Sequence, residues 1–420
     1  MSSTLSSLLF VTFLVALCQS APAPVPAPAA GSKVLAGSVQ HFTDASGCNT
    51  FIPIMQLGIG NPPQKVTVLL DTGSSDLVIP QTGSAVCQDK QQQCTQNAGV
   101  TSSPGNFSTG SFEPEKAVRV TDAGSPPLNA TFQNGVQLQG SIVNAGLTVG
   151  NQSVDAVSMG LVTKGFLPPN EPLFPIFGVG PMQGEGIEVP YMNVPAAMKN
   201  IGATNANVFG LYLNDFRGSD GSIAFGGVDT AKFQGKFQAA PLLNSNDGSL
   251  PSFVVDFSSI KLVSGNDTAD AGQDIDLAPQ RGMSGAVTLI DSGNPTVLVA
   301  TQSVMALSKA LGTKFDTVTG KVGNVPCSMA QQGMSMSFGF NADQVKIQVP
   351  LELMMTPDPA SGDCTLPIFA TDDELTSLGS PFMQAAYIVF DMDQKQLLMA
   401  PAVMNVTDSN LVELDPSMLA

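Results

Sequence analysis

Two short runs, 220 residues apart, hold the residue types from which hydrolytic chemistry could be assembled. One is Leu69-Leu70-Asp71-Thr72-Gly73-Ser74-Ser75, the other Leu289-Ile290-Asp291-Ser292-Gly293-Asn294. Each places two large apolar residues before an aspartate, a small hydroxyl residue and a glycine. The apolar pair predicts the end of a buried strand, and the glycine permits a tight turn with close backbone approach. A carboxylate at the end of a core strand is costly unless hydrogen-bonded or paired. Two carboxylates in matching settings therefore predict each other as partners. Held face to face, they cannot both ionise easily, so they share a proton and titrate as a pair. The ionised member can take a proton from water while the other polarises a carbonyl oxygen, which is amide hydrolysis by general acid–base catalysis. Asp-Thr-Gly or Asp-Ser-Gly alone is an ordinary turn. The apolar lead-in, repeated at domain-scale spacing, is the informative part.

Elimination points the same way. The chain has a single histidine, His41, near its N-terminus, whereas Ser-His and Cys-His catalysis and His-ligated zinc need imidazole in the site. No HExxH, GxSxG or GxxxxGK[ST] run occurs. No metal and no cofactor is expected. With 34 acidic against 17 basic residues the net charge is −17, which excludes a phosphate-neutralising nucleic-acid partner and suits an acidic medium.

The chain should be exported. An apolar run at residues 8–18, with small residues before a cut at Ala21, reads as a signal peptide over residues 1–20. It is too short to span a membrane. A Pro/Ala-rich spacer follows, and residues 21–49 are expected to be a propeptide or flexible leader. Lys33 is its one basic side chain apart from His41. Cysteine usage agrees with an oxidising compartment: Cys87 and Cys94 could close a small loop and Cys327 and Cys364 a larger one, with Cys48 left over and Cys18 in the signal. Asn-x-Ser/Thr sequons at Asn106, Asn129, Asn151, Asn266 and Asn405 predict surface glycans.

The elements that must position the aspartates are mostly short strands between Gly/Pro/Asn turns. Strands are expected at 51–60 and 66–70, and a hairpin at 130–149 around Asn134-Gly135. Helices are expected at 194–201 and 301–311, stopped by Gly202 and Gly312, with a third, short one at 381–386. In each half the aspartate run is followed much later by an apolar segment ending in glycine, at 174–178 and 375–379. The division is predicted as a β-rich N-terminal lobe at 50–242, a β-rich C-terminal lobe at 243–403 and a polar tail at 404–420. The fold class is all-β and bilobal, with a central cleft.

From residue 50 to 403 the chain resembles the pepsin-like aspartic proteases of the secreted, fungal type. Residues 57–64 resemble the family's stretch before its first aspartate, and Asp71-Thr72-Gly73-Ser74-Ser75-Asp76-Leu77 matches its first active-site motif closely. Phe225-Gly226-Gly227-Val228-Asp229 and Tyr387-Ile388-Val389-Phe390-Asp391 are similar to its later signatures. Cys87 and Cys94, and Cys327 and Cys364, fall where the family closes two loops. The resemblance implies a pepsin-like fold with Asp71 and Asp291 as the catalytic dyad. Thr72 and Ser292 would cross-link the loops, Gly73 and Gly293 would lie beside substrate, and Ser74 would bond Asp71. The hairpin with Phe132, Asn134 and Gly135 would be a flap. Three positions depart from the family. Asn294 replaces Ser or Thr, its amide still able to donate to a carboxylate. Phe132 replaces the flap tyrosine, and Val78 a tryptophan, so two hydrogen-bond partners are lost together and neither is orphaned.

The expected function is a monomeric, secreted aspartic endopeptidase acting on polypeptides at acidic pH, with large hydrophobic residues around the cut. The alternative is a pepsin-fold binding protein with weakened catalysis, motivated by Asn294 and the simplified flap.

Overall fold

The computed structural model describes residues 32–43, 49–88, 94, 109–132, 135–166, 175–187, 189–265, 267–268, 270–277, 286–358, 360–372 and 376–420. The expected signal, most of the leader, Cys48, Asn106, Asn134 and Asn266 lie outside them.

Both aspartates end a strand whose apolar residues have nowhere to go but inward. In Gln64–Asp71 the side chains of Val66, Val68 and Leu70 are fully buried. This strand pairs antiparallel with Asn49–Ile59 and parallel with Ile176–Gly178, so that Asp71 sits opposite Gly178. The second half repeats the arrangement. Val287–Asp291 pairs antiparallel with Val254–Val263 and parallel with Thr376–Gly379, and Asp291 sits opposite Gly379. Glycine is required at both facing positions. A Cβ on Gly178 would lie 2.5 Å from the Asp76 amide nitrogen, and one on Gly379 2.1 Å from the Asn294 carbonyl oxygen.

Among the described residues the strands form two large sheets, of fourteen and ten strands. The smaller lies wholly within the second half. The larger runs through the first half and does not stop at its end. Ala386–Asp391 pairs with Val208–Tyr212, and Gln396–Pro401 pairs with Gln238–Pro241. The division expected at 242/243 is thus crossed: the last strands of the predicted C-terminal lobe complete the sheet of the N-terminal one. The cause is their patterning. Every residue of both Ala386–Asp391 and Val208–Tyr212 is buried, so each strand needs cover on both faces and neighbours on both edges. Phe209 and Phe390 stack across this joint with centroids 4.6 Å apart.

The leader also differs from expectation. Leu35–Thr43 is a strand rather than a flexible leader, inserted between Gly221–Phe225 and Asn49–Ile59. Val34 and Val39 are fully buried. A segment that fills a slot in the central sheet belongs to the folded body. The polar tail is likewise tied down: Leu411–Glu413 pairs with Gly227–Asp229, and buried Asp229 accepts from Asn410 N–H and Ser409 Oγ–H. Helices Val194–Asn200 and Thr301–Ala310 end before Gly202 and Gly312, both at positive φ. The third helix is Ser380–Met383, one turn.

Candidate active site

The two aspartate turns interlock through hydroxyls. Thr72 Oγ1 donates to the Ile290 carbonyl at 2.8 Å and accepts from Ser292 N–H at 2.9 Å. Ser292 Oγ mirrors it, donating to the Leu70 carbonyl at 2.7 Å and accepting from Thr72 N–H at 3.1 Å. Both residues are fully buried, so these bonds form away from competing water.

The interlock brings the carboxyls together. A Cβ on Gly73 would stand 2.5 Å from the Asp291 carboxyl, and one on Gly293 2.5 Å from Asp71 Oδ1. Each glycine therefore leaves the space its opposite carboxylate uses. The Asp71 and Asp291 side chains hydrogen-bond each other. Each aspartate also accepts from the glycine two residues on, at 2.8 Å for Gly73 N–H and 2.9 Å for Gly293 N–H. Ser74 Oγ–H donates to the remaining oxygen of Asp71. Asp291 keeps an edge open to the cavity. Even so, burial first, then the charge of Asp71 and their shared hydrogen bond, push its carboxyl well above the usual carboxylate range.

Asn294 behaves unlike the expected donor. Its amide does not turn to Asp291. Nδ2 donates to Ser377 Oγ at 3.0 Å, and Oδ1 accepts from Thr296 N–H at 2.9 Å and Thr296 Oγ1 at 2.7 Å. The planar amide spans a turn that a hydroxyl could not, and the Asn294 backbone N–H donates to the Asp291 main-chain carbonyl at 3.2 Å.

The dyad opens into a cavity of about 610 Å³ whose lining includes Ile52, Leu69, Ile176, Leu289, Pro295 and Leu298. Phe132, at the tip of the hairpin formed by Leu128–Thr131 and Gln137–Val149, lines it from the other side. The tip is closed by Gly135 N–H donating to the Phe132 carbonyl, with Gly135 at φ 84°. Phe132 packs on the same apolar cluster as buried Val78, so the two positions that lack the family's polar groups share one apolar environment. Cys87–Cys94 and Cys327–Cys364 are disulfides. The sequon residues Asn129, Asn151 and Asn405 are exposed.

Sequence reasoning missed one polar group beside the dyad. Asp76, five residues after Asp71, is buried and lines the cavity. Its Oδ1 accepts from Tyr191 Oη–H at 2.7 Å and its Oδ2 from Gly186 N–H at 2.7 Å. Buried Glu185 accepts from Tyr191 N–H at 2.6 Å through Oε2, while its Oε1 has no partner among the described residues. Burial, then the charge of Asp76, push Glu185 up to about 9. Burial likewise raises Asp76. Asp76 lies in the quoted motif, but nothing in the sequence pairs it with a glutamate more than a hundred residues on.

A β-rich molecule in two halves, with interlocked Asp-Thr-Gly and Asp-Ser-Gly turns under a hairpin, is the architecture of an aspartic peptidase. The family model for the eukaryotic aspartyl protease matches residues 54–402, and the chain belongs to that family. It is 26% identical over 400 residues to a probable aspartic-type endopeptidase OPSB of Arthroderma benhamiae, covering 92% of this chain and 74% of that one. It is 27% identical to the aspartic proteinase yapsin-3 of Saccharomyces cerevisiae, covering 83% and 65%, and 27% identical to secreted aspartic protease 6 of Candida albicans, covering 85% and 77%. The fold is also that of the aspartic proteinase from Irpex lacteus, with a TM-score of 0.63 at 18% identity over 89% of this chain and 100% of that one.

Proposed function

We propose that this protein is a secreted aspartic endopeptidase that cleaves polypeptides at acidic pH, with Asp71 and Asp291 as its catalytic dyad. The observation that carries the reading is the hydroxyl interlock of the two turns, which sets each carboxyl against the other turn's glycine at the seam of the halves. Asp291, the member pushed upward, holds the shared proton, and Asp71 is the base. Asp71 accepts a proton from a water molecule as its oxygen bonds to the scissile carbonyl carbon. Asp291 gives its proton to the carbonyl oxygen. The tetrahedral intermediate then collapses: the C–N bond breaks, the leaving nitrogen takes the proton from Asp71, and a hydroxyl of the intermediate returns its proton to Asp291 as the carbonyl re-forms, so the dyad regains its one shared proton. Losing the shared proton as pH rises removes the acid, which is why the reaction belongs to acidic pH.

The apolar cavity lining supports large hydrophobic side chains on either side of the cut. Two disulfides, exposed sequons and relatives named as secreted support export. On this reading the mature, monomeric chain retains the strand Leu35–Thr43. The test is hydrolysis of a denatured protein across acid to neutral pH. Asp71→Asn and Asp291→Asn should each lower the rate by about a thousandfold or more. Activity surviving either substitution contradicts the assignment.

A further inference from the structure

Glu185, Tyr191 and Asp76 take no part in the hydrolytic step, yet they join two pieces of chain that both face the cavity. Residues 184–186 form one wall of it, through Gly184 and Gly186. This wall has no slack. A Cβ on Gly184 would lie 2.1 Å from the Pro251 carbonyl oxygen, and one on Gly186 2.9 Å from the Ala130 Cβ of the flap strand Leu128–Thr131. What holds the wall is polar. Gly186 N–H donates to Asp76, Tyr191 spans from its own N–H on Glu185 to its hydroxyl on Asp76, and Ser75 Oγ donates to the Pro181 carbonyl at 2.6 Å.

We propose that Glu185 is a positioning residue for substrate binding: with Asp76 and Tyr191 it clamps the wall at 184–186, and through it the base of the flap, onto the loop that carries Asp71. The proposal rests on the endopeptidase reading for its kinetic consequences, though not for its structural ones.

The hydrogen-bond inventory dictates how the clamp works. Asp76 accepts two donors and is suited to be the carboxylate. Glu185 has one oxygen filled and the other, Oε1, buried without a donor. An ionised oxygen in that position would be an uncompensated buried charge, whereas a protonated one is far cheaper. Among the described residues, the charged or titratable groups acting on Glu185 are Asp76 and Tyr191, neither of them cationic. One proton on Glu185 therefore keeps two carboxyls side by side. Removing it sets like charges against each other and loosens the wall, independently of the Asp71–Asp291 pair.

The experiment uses the full chain and two readouts. In the first, Glu185→Ala raises KM for an extended peptide substrate by about tenfold. The value of kcat stays within about threefold, and Glu185→Gln, which mimics the neutral carboxyl, brings KM back to within about twofold. A role in folding alone would not split KM from kcat. The second readout needs no activity. The chain has no tryptophan and three tyrosines, so tyrosine emission is readable. Tyr212 is pushed up to about 12 and Tyr387 higher still, leaving neither to ionise near pH 9. The parent protein should show a step in emission near pH 9 as Glu185 ionises beside Tyr191. Glu185→Gln should remove that step, because the amide does not ionise, and Tyr191→Phe should abolish it by removing the reporter. An unchanged step in Glu185→Gln overturns the proposal, as does an unchanged KM in Glu185→Ala. If the dyad variants retain activity while the emission step behaves as described, the hydrolytic reading fails and the clamp stands.

Discussion

The turn at Asp71 and the turn at Asp291 have the same backbone and different polar surroundings. Both end a strand flanked by an antiparallel and a parallel neighbour, and both are followed two residues on by a glycine that leaves room for the opposite carboxylate and donates its N–H to the aspartate. The side chains then diverge. Asp71 has the Ser74 hydroxyl. At the matching place Asp291 has Asn294, whose amide is spent on Ser377 and Thr296. A carboxylate with an extra donor is stabilised as the anion, and one without it gives way to the proton. Repetition of the backbone brings the pair together, and departure from repetition gives the two carboxyls different hydrogen-bond donors.

The most damaging way to test the shared backbone is to fill the glycines. Gly73→Ala and Gly293→Ala each force a Cβ to 2.5 Å from the facing carboxyl, and both should cost about a thousandfold or more in kcat/KM. Loss in one alone would break the equivalence.

A pH effect from the dyad must be separated from one that arises elsewhere. His41, on the strand Leu35–Thr43, donates from Nε2–H to the Leu213 carbonyl at 2.9 Å, while its Nδ1 is buried without a partner among the described residues. Burial drives it down from 6.5 to about 4, with the Leu213 carbonyl and Asp215 opposing. The unfolded chain therefore takes up the proton first. Stability is whole above about pH 6.5 and falls as pH drops toward 4, by up to about 3 kcal/mol. His41→Gln should flatten the stability curve in that window, as read by denaturant unfolding. Asp291 and Glu185 act in the opposite sense. Their folded carboxyls hold the proton more tightly than the unfolded chain does, so their contribution is full below the ordinary carboxylate range and is lost as pH rises, for Glu185 through about 9.

The asymmetry itself is tested by Ser74→Ala against Asn294→Ala. The first removes a donor from the anionic form of the dyad. It should cost about 10- to 100-fold in kcat/KM and move the acidic limb of the rate profile to higher pH. The second should leave that limb in place and lower stability by about 1–2 kcal/mol, since Thr296 and Ser377 lose their partner. Equal shifts of the limb would refute the division of labour. The mildest contrast is Thr72→Val against Ser292→Ala. Each deletes one donor and one acceptor of the interlock, and each should lower unfolding free energy by about 1–3 kcal/mol, with the two values matching to a few tenths.

The site was legible in proportion to how local its causes are. The apolar pair before each aspartate marks a strand end, and the glycine after it a turn, so Asp71, Asp291, Thr72 and Ser292 can be picked out along the chain. Gly202 and Gly312 stop their helices for reasons contained within a few residues. The leader was misread because Leu35–Thr43 is flanked by Pro/Ala-rich and polar sequence, and only its place between two strands far along the chain makes it core. The crossed boundary at 242/243 has the same origin: the apolar run at 386–390 declares burial without declaring against what.

The amino-acid order alone therefore determined the repeated strand–turn units, their aspartates and the β-rich class, because side-chain period and turn chemistry act over a few residues. The tertiary structure decided which donors each dyad carboxyl meets, that the Asn294 amide faces away from Asp291, and that Glu185 lies within electrostatic reach of Asp76. Desolvation and hydrogen-bond partners depend on groups brought together from distant parts of the chain, and no local pattern encodes them.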